Sequence, residues 1–123
     1  MENLFLEKSN KTPFIEFDAN RGFLLIEGRS IPEDALDFYQ PLFTWLDKYS
    51  ETAQEVTVME FKLEYFNTSS SKCIVEILRR LEDINCEKQV EVKWFYEQDD
   101  EDMQESGEDY MQLVNVPISF ELY

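Results

Sequence analysis

The feature that most constrains this chain is a change of hydrophobic period that happens twice between Val56 and Tyr96. Thr57, Met59, Phe61, Leu63 and Tyr65 share one parity while Glu60, Lys62 and Glu64 share the other. That is the two-residue period of a strand with one covered face and one wet face. After Asn67-Thr68-Ser69-Ser70-Ser71 the period becomes helical, with Ile74, Ile77, Leu78, Leu81 and Ile84 on one stripe. Val90, Val92, Trp94 and Tyr96 then alternate again. Strand, helix, strand in that order predicts a right-handed parallel crossover and therefore an α/β fold.

The flanking segments extend the sheet. Phe14, Ile15 and Phe17 form one short apolar run and Phe23 to Ile26 another, with Asn20 and Gly22 supplying turn residues between them, so a β-hairpin is expected, closed by Gly28. Ser30-Ile31-Pro32-Glu33 reads as a capping box with proline in the first turn. The aromatic-rich helical spacing from Leu36 to Tyr49 follows, with Pro41 expected to kink it or split it in two. Phe38, Phe43, Trp45 and Tyr49 stand at core spacing, with room for one or two to face outward. Val116, Ile118, Phe120 and Leu122 alternate as a last strand, which Pro117 assigns to a sheet edge. The sum is one α/β domain over residues 1–123. It holds a mixed sheet of about five strands, counted from the alternating runs, with helices mainly on one face.

Composition narrows the function. The 123 residues carry 11 Lys plus Arg against 27 Asp plus Glu, a net charge of −16. Such a field repels phosphate backbones and anionic lipids, so neither nucleic acid nor a membrane is an expected partner. There is no histidine, which removes Ser-His-Asp and Cys-His catalysis and His-ligated zinc. Carboxylates abound, but no phosphate cradle or nucleophile elbow marks any pair as catalytic, so no enzyme and no cofactor are expected. Cys73 and Cys86 lie 13 apart without a metal-binding spacing. With no signal peptide and no apolar run of the roughly 18–20 residues a membrane span needs, a reducing cytoplasm is expected, with both thiols free.

Between Glu97 and Asp109 there are eight acidic residues. A calcium loop started at Asp102 places Gly107 correctly, but Gln104 replaces an early ligand and Leu113 falls where the bidentate Glu belongs. The run reads instead as a solvated face or helix start. Its other reading is an electrostatic docking surface for a basic partner, built from Glu97, Asp99, Asp100, Glu101 and Asp102. A constitutive acidic adaptor working through 97–109 is therefore one functional reading of the chain.

The hydroxyl run Thr68 to Ser71 supports another. Such residues cap helices, because their oxygens accept from orphan amides at the helix start. One cap needs one hydroxyl, and four stand here. The second reading is a phospho-acceptor: a phosphate at a helix start meets free amides and the positive end of the dipole.

Tyr65-Phe66-Asn67-Thr68-Ser69-Ser70 resembles the signature loop of the SiaC-family regulatory phosphoproteins. Thr12-Pro13, the Gly28 to Pro32 entry into the aromatic-rich helix, and Trp94-Phe95-Tyr96 before the acidic run match at the level of pattern, over nearly the whole chain. The resemblance implies a STAS-like fold of the anti-anti-sigma type, in which a hydroxyl at a strand-to-helix loop is phosphorylated. It implies a bacterial switch in which a serine/threonine kinase modifies Thr68 and a PP2C-like phosphatase reverses this, with Asn67, Ser69, Ser70 and Ser71 shaping the site. The unphosphorylated form would bind and stimulate a GGDEF diguanylate cyclase, in cyclic-di-GMP and biofilm signalling.

Overall fold

The computed structural model describes every residue from Met1 to Tyr123. Six strands form one sheet in chain order: β1 (Leu4–Leu6), β2 (Phe14–Asp18), β3 (Phe23–Ser30), β4 (Val56–Phe66), β5 (Gln89–Tyr96) and β6 (Ile118–Leu122). The first three pair antiparallel, and β3 through β6 pair parallel. Helices α1 (Ala35–Tyr49), α2 (Thr68–Asn85) and α3 (Glu101–Leu113) are the three crossovers. Each crossover steps to the adjacent strand in the same direction, so a common hand places all three helices over one face. The core lies between, from Ile15 and Phe17 through Met59, Phe61 and Trp94 to Tyr110.

The mixed sheet with helices on one face is as expected, with six strands rather than five. The extra strand, β1, is three residues long, too short to show a period. It pairs Phe5 opposite Glu16, and its neighbours tie in around it: Trp45 Nε1 donates to Glu2 O at 2.8 Å and Ala19 N to Asn3 Oδ1 at 2.9 Å.

The hairpin turn forms as the residues dictate. Asp18 Oδ1 accepts from the amides of Asn20 and Arg21 at 3.0 and 3.2 Å, an Asx turn. Gly22 has φ 63°, and a Cβ there would lie 2.7 Å from Val56 O. Gly28 does not end β3. At φ 120° it lets the strand shift register against β4 between Gly28 and Arg29 and continue to Ser30.

The next segment corrects the expected cap and excludes the expected split at Pro41. Ser30 is the buried last residue of β3, and the α1 cap is Asp34, whose side chain accepts from Asp37 N at 3.1 Å. Pro41 neither splits nor ends α1, which runs unbroken to Tyr49. The hydrogen bond lost at proline is offset by the core face of that helix, which buries Tyr39, Leu42, Phe43, Trp45, Leu46 and Tyr49. Phe38 packs against the same core, half-buried. The aromatic set is therefore core.

The opposite sheet face is uncovered, and several of its cations are held within the face. Glu60 pairs with Lys62 at 3.6 Å, Lys62 Nζ sits 4.7 Å from the Phe95 ring centroid, and Arg21 stands 4.9 Å from that of Phe23.

Candidate functional site

Only Asn67 separates β4 from α2, so Thr68 is the first helical residue rather than part of a loop. Asn67 is extended, with φ −87° and ψ 175°, and its side chain accepts from Ser70 N at 2.8 Å. The cap is thus asparagine, and none of the four hydroxyls performs it.

Helical rotation then gives the four hydroxyls different surroundings. Ser70 is fully buried: its Oγ donates to Ser30 O at 3.0 Å and accepts from Ser30 Oγ at 2.8 Å, while Ser30 Oγ also bonds the Tyr39 phenol at 2.7 Å. Asn67 N donates to the same Ser30 O at 3.1 Å. These bonds fasten the start of α2 to the end of β3. Burial drives the Tyr39 phenol well above its usual range, the Ser30 bond opposing only part of that. Ser71 points to α3, its Oγ 2.7 Å from the Tyr110 hydroxyl. Burial raises the Tyr110 phenol too.

Thr68 and Ser69 remain, both exposed, their hydroxyls free of hydrogen bonds. The α2 first turn holds no acidic residue, in contrast to Asp37 in α1 and Glu101 with Asp102 in α3. Lys72, one turn beyond Thr68, is exposed and forms no ion pair. This is the one helix start whose positive end lacks a compensating carboxylate.

The acidic run forms α3 and its approach. Asp100 is the cap, its side chain accepting from Met103 N at 3.0 Å. Glu101 and Asp102 fill the first turn, while Glu97 and Asp99 lie before it, exposed. Met103, Gly107 and Tyr110 face inward; Trp94 Nε1 donates to Met103 O at 2.8 Å, and the Trp94 and Tyr110 rings meet edge-on at 5.3 Å. A Cβ on Gly107 would lie 2.6 Å from Trp94 Cδ1, so glycine is what lets α3 seat on the indole. No cluster of three or more His, Cys, Asp or Glu side chains is placed to hold a metal, and no helix is long and apolar enough to cross a membrane.

Sequence reasoning missed the Ser30–Tyr39–Ser70 network, whose two serines lie 40 residues apart. The available signal was parity. Ser30 falls on the covered side of β3 with Leu24 and Ile26, where a cap residue has no place.

A family model described as SiaC family regulatory phosphoprotein matches residues 6–123. An uncharacterized protein of Pseudomonas aeruginosa is 26% identical over 124 residues, which covers 100% of this chain and 98% of that one. Among solved structures, SiaC of P. aeruginosa superposes with a TM-score of 0.90 at 24% identity, over 100% of both chains. The structure of the P. aeruginosa diguanylate cyclase SiaD in complex with its activator SiaC gives a TM-score of 0.91 at 26% identity, over 98% of this chain and 99% of that one.

Proposed function

The chain belongs to the SiaC family of regulatory phosphoproteins, and from that premise we infer that it is a switch set by reversible phosphorylation of Thr68. It is a regulatory protein and not an enzyme. A serine/threonine kinase supplies the phosphoryl chemistry, this chain presents a hydroxyl, and a PP2C-like phosphatase resets it. In the unphosphorylated state it binds and stimulates a diguanylate cyclase, as the relative seen with SiaD is that cyclase's activator.

The observation that carries this reading is the state of the Thr68 side chain: exposed, unbonded, and first in a helix whose opening turn has no carboxylate. A phosphate there adds about −1.5 to −2 charges. It meets the free amides of the helix start without disturbing a buried contact. On Ser70 it would break the bonds to Ser30, and on Ser71 the bond to Tyr110.

The test is binding of the diguanylate cyclase of the same organism to the chain before and after stoichiometric phosphorylation. The unphosphorylated chain is expected to bind and raise cyclase activity, and the phosphorylated chain to lose both. Equal binding and stimulation by the two forms would refute the switch.

A further inference from the structure

At the carboxyl end of the parallel strands lies a cleft of about 390 Å³ between the end of β4 and the start of α3, lined in part by Glu64, Tyr65, Phe66, Asp100, Asp102 and Met103. Tyr65, Phe66 and Met103 supply its apolar lining, and Tyr65 is 54% exposed. Glu64, Asp100 and Asp102 supply carboxylates to the same lining. None of these is in an ion pair; Arg29, beside Tyr65 in the β3–β4 register, pairs with none of them either. No Lys or Arg follows Lys93 in the chain. The patch continues onto Tyr123, whose ring meets Phe95 at 5.9 Å and whose hydroxyl reaches Leu63 O at 3.5 Å. Burial and then the nearby carboxylates, Glu97 and Glu64 foremost, push that phenol up.

This surface borders the uncovered sheet face, where Lys62 sits over Phe95 and against Glu60. Here Tyr65 and Tyr123 are exposed, and Glu64, Asp100 and Asp102 are in no ion pair. We propose that the cleft is a docking site for an arginine side chain presented by the partner protein. The guanidinium stacks on the Tyr65 ring and forks to Glu64 and Asp102, supplying the charge the lining lacks. Arginine fits better than lysine because a flat fork satisfies ring and carboxylates together, whereas an ammonium is a compact, strongly hydrated point charge. The assignment of that partner as a cyclase rests on the function proposed above; the chemistry of the cleft does not.

The experiment has two arms. A hexa-arginine peptide titrated into the isotope-labelled full chain should shift the amides of residues 64–66, 100–103 and 123, at lower concentration than hexa-lysine. Tyr65→Ala, and Glu64→Gln combined with Asp102→Asn, should remove the difference between the peptides. Equal response to the two peptides, or shifts centred on Glu105, Glu108 and Asp109 of α3, would overturn the proposal. In the second arm the same variants bind the cyclase, with a loss on the order of tenfold expected and an unchanged affinity contradicting the cleft as the docking place. A wild-type chain that binds no cyclase refutes the proposed function instead, and the peptide arm alone then decides the cleft.

Discussion

Two helix starts in this molecule are built on the same local device and differ in charge. Asn67 and Asp100 each stand one residue before a helix and accept from an amide three residues on, at 2.8 and 3.0 Å. Behind Asp100 come Glu101 and Asp102; behind Asn67 come Thr68, Ser69, Ser70 and Ser71. At α3 the cap and first turn already oppose the dipole with full negative charges, so another anion there meets repulsion. At α2 the cap is neutral and the first turn holds only hydroxyls, in a chain of net charge −16. Of the three helix starts, only that of α2 has neither an acidic cap nor an acidic first turn. On the proposed function, the missing carboxylates of this turn count as much as the hydroxyl it presents.

The independence of the two helix starts is tested hardest at the seat of α3. Trp94→Ala removes the indole under Gly107 and Tyr110 and the bond to Met103 O, and should cost about 3–5 kcal/mol in chemical denaturation. Gly107→Ala tests the same seat more gently. A Cβ lying 2.5 Å from Phe120 Cε1 must move the helix, at about 1–3 kcal/mol. Faster amide exchange should then be confined to α3 and β6, leaving the bonded amides of Asn67, Ser70 and Ser71 protected. Exchange that rises equally at those three amides would show that the two starts are not independent.

The caps themselves give smaller effects. Asn67→Ala and Asp100→Ala should each lose about 0.5–2 kcal/mol. Asn67→Asp sharpens the contrast further: a charge placed at the uncompensated start should gain about 0.3–1 kcal/mol, and Glu101→Gln with Asp102→Asn should lose a comparable amount at α3. Both changes should shrink in high salt. If Asn67→Asp destabilises, the α2 start does not favour an anion.

Alkaline titration reports on the anchor beneath α2. The Tyr39 phenol is held protonated in the fold beyond its ordinary value of 10.0. The unfolded chain therefore releases this proton first. Stability should be full below about pH 10 and fall as pH rises above it, with a shallower fall in Tyr39→Phe. An identical slope in that variant would mean the anchor does not set it.

What the sequence disclosed follows from period. The crossover from Val56 to Tyr96 was legible because its alternating and helical stripes are long. The hairpin was legible because Gly22 and its neighbours allow few turns. β1 was hidden by its length of three residues. The α1 start was misplaced because Ser30 with Glu33 mimics a capping box while the working cap, Asp34, lies four residues later. At the site, the run of hydroxyls was visible, but their separate environments were not. Those depend on the residue at which α2 begins. Starting the helix at Thr68 turns Ser70 inward to Ser30, Ser71 toward Tyr110, and leaves Thr68 and Ser69 outside.

Whether Thr68 is the hydroxyl the switch uses is decided by phosphate transfer from the cognate kinase to single-hydroxyl variants. Thr68→Ala should fold as the parent does and take up no phosphate, while Ser69→Ala is labelled as fully as the parent. Undiminished labelling of Thr68→Ala would contradict the account.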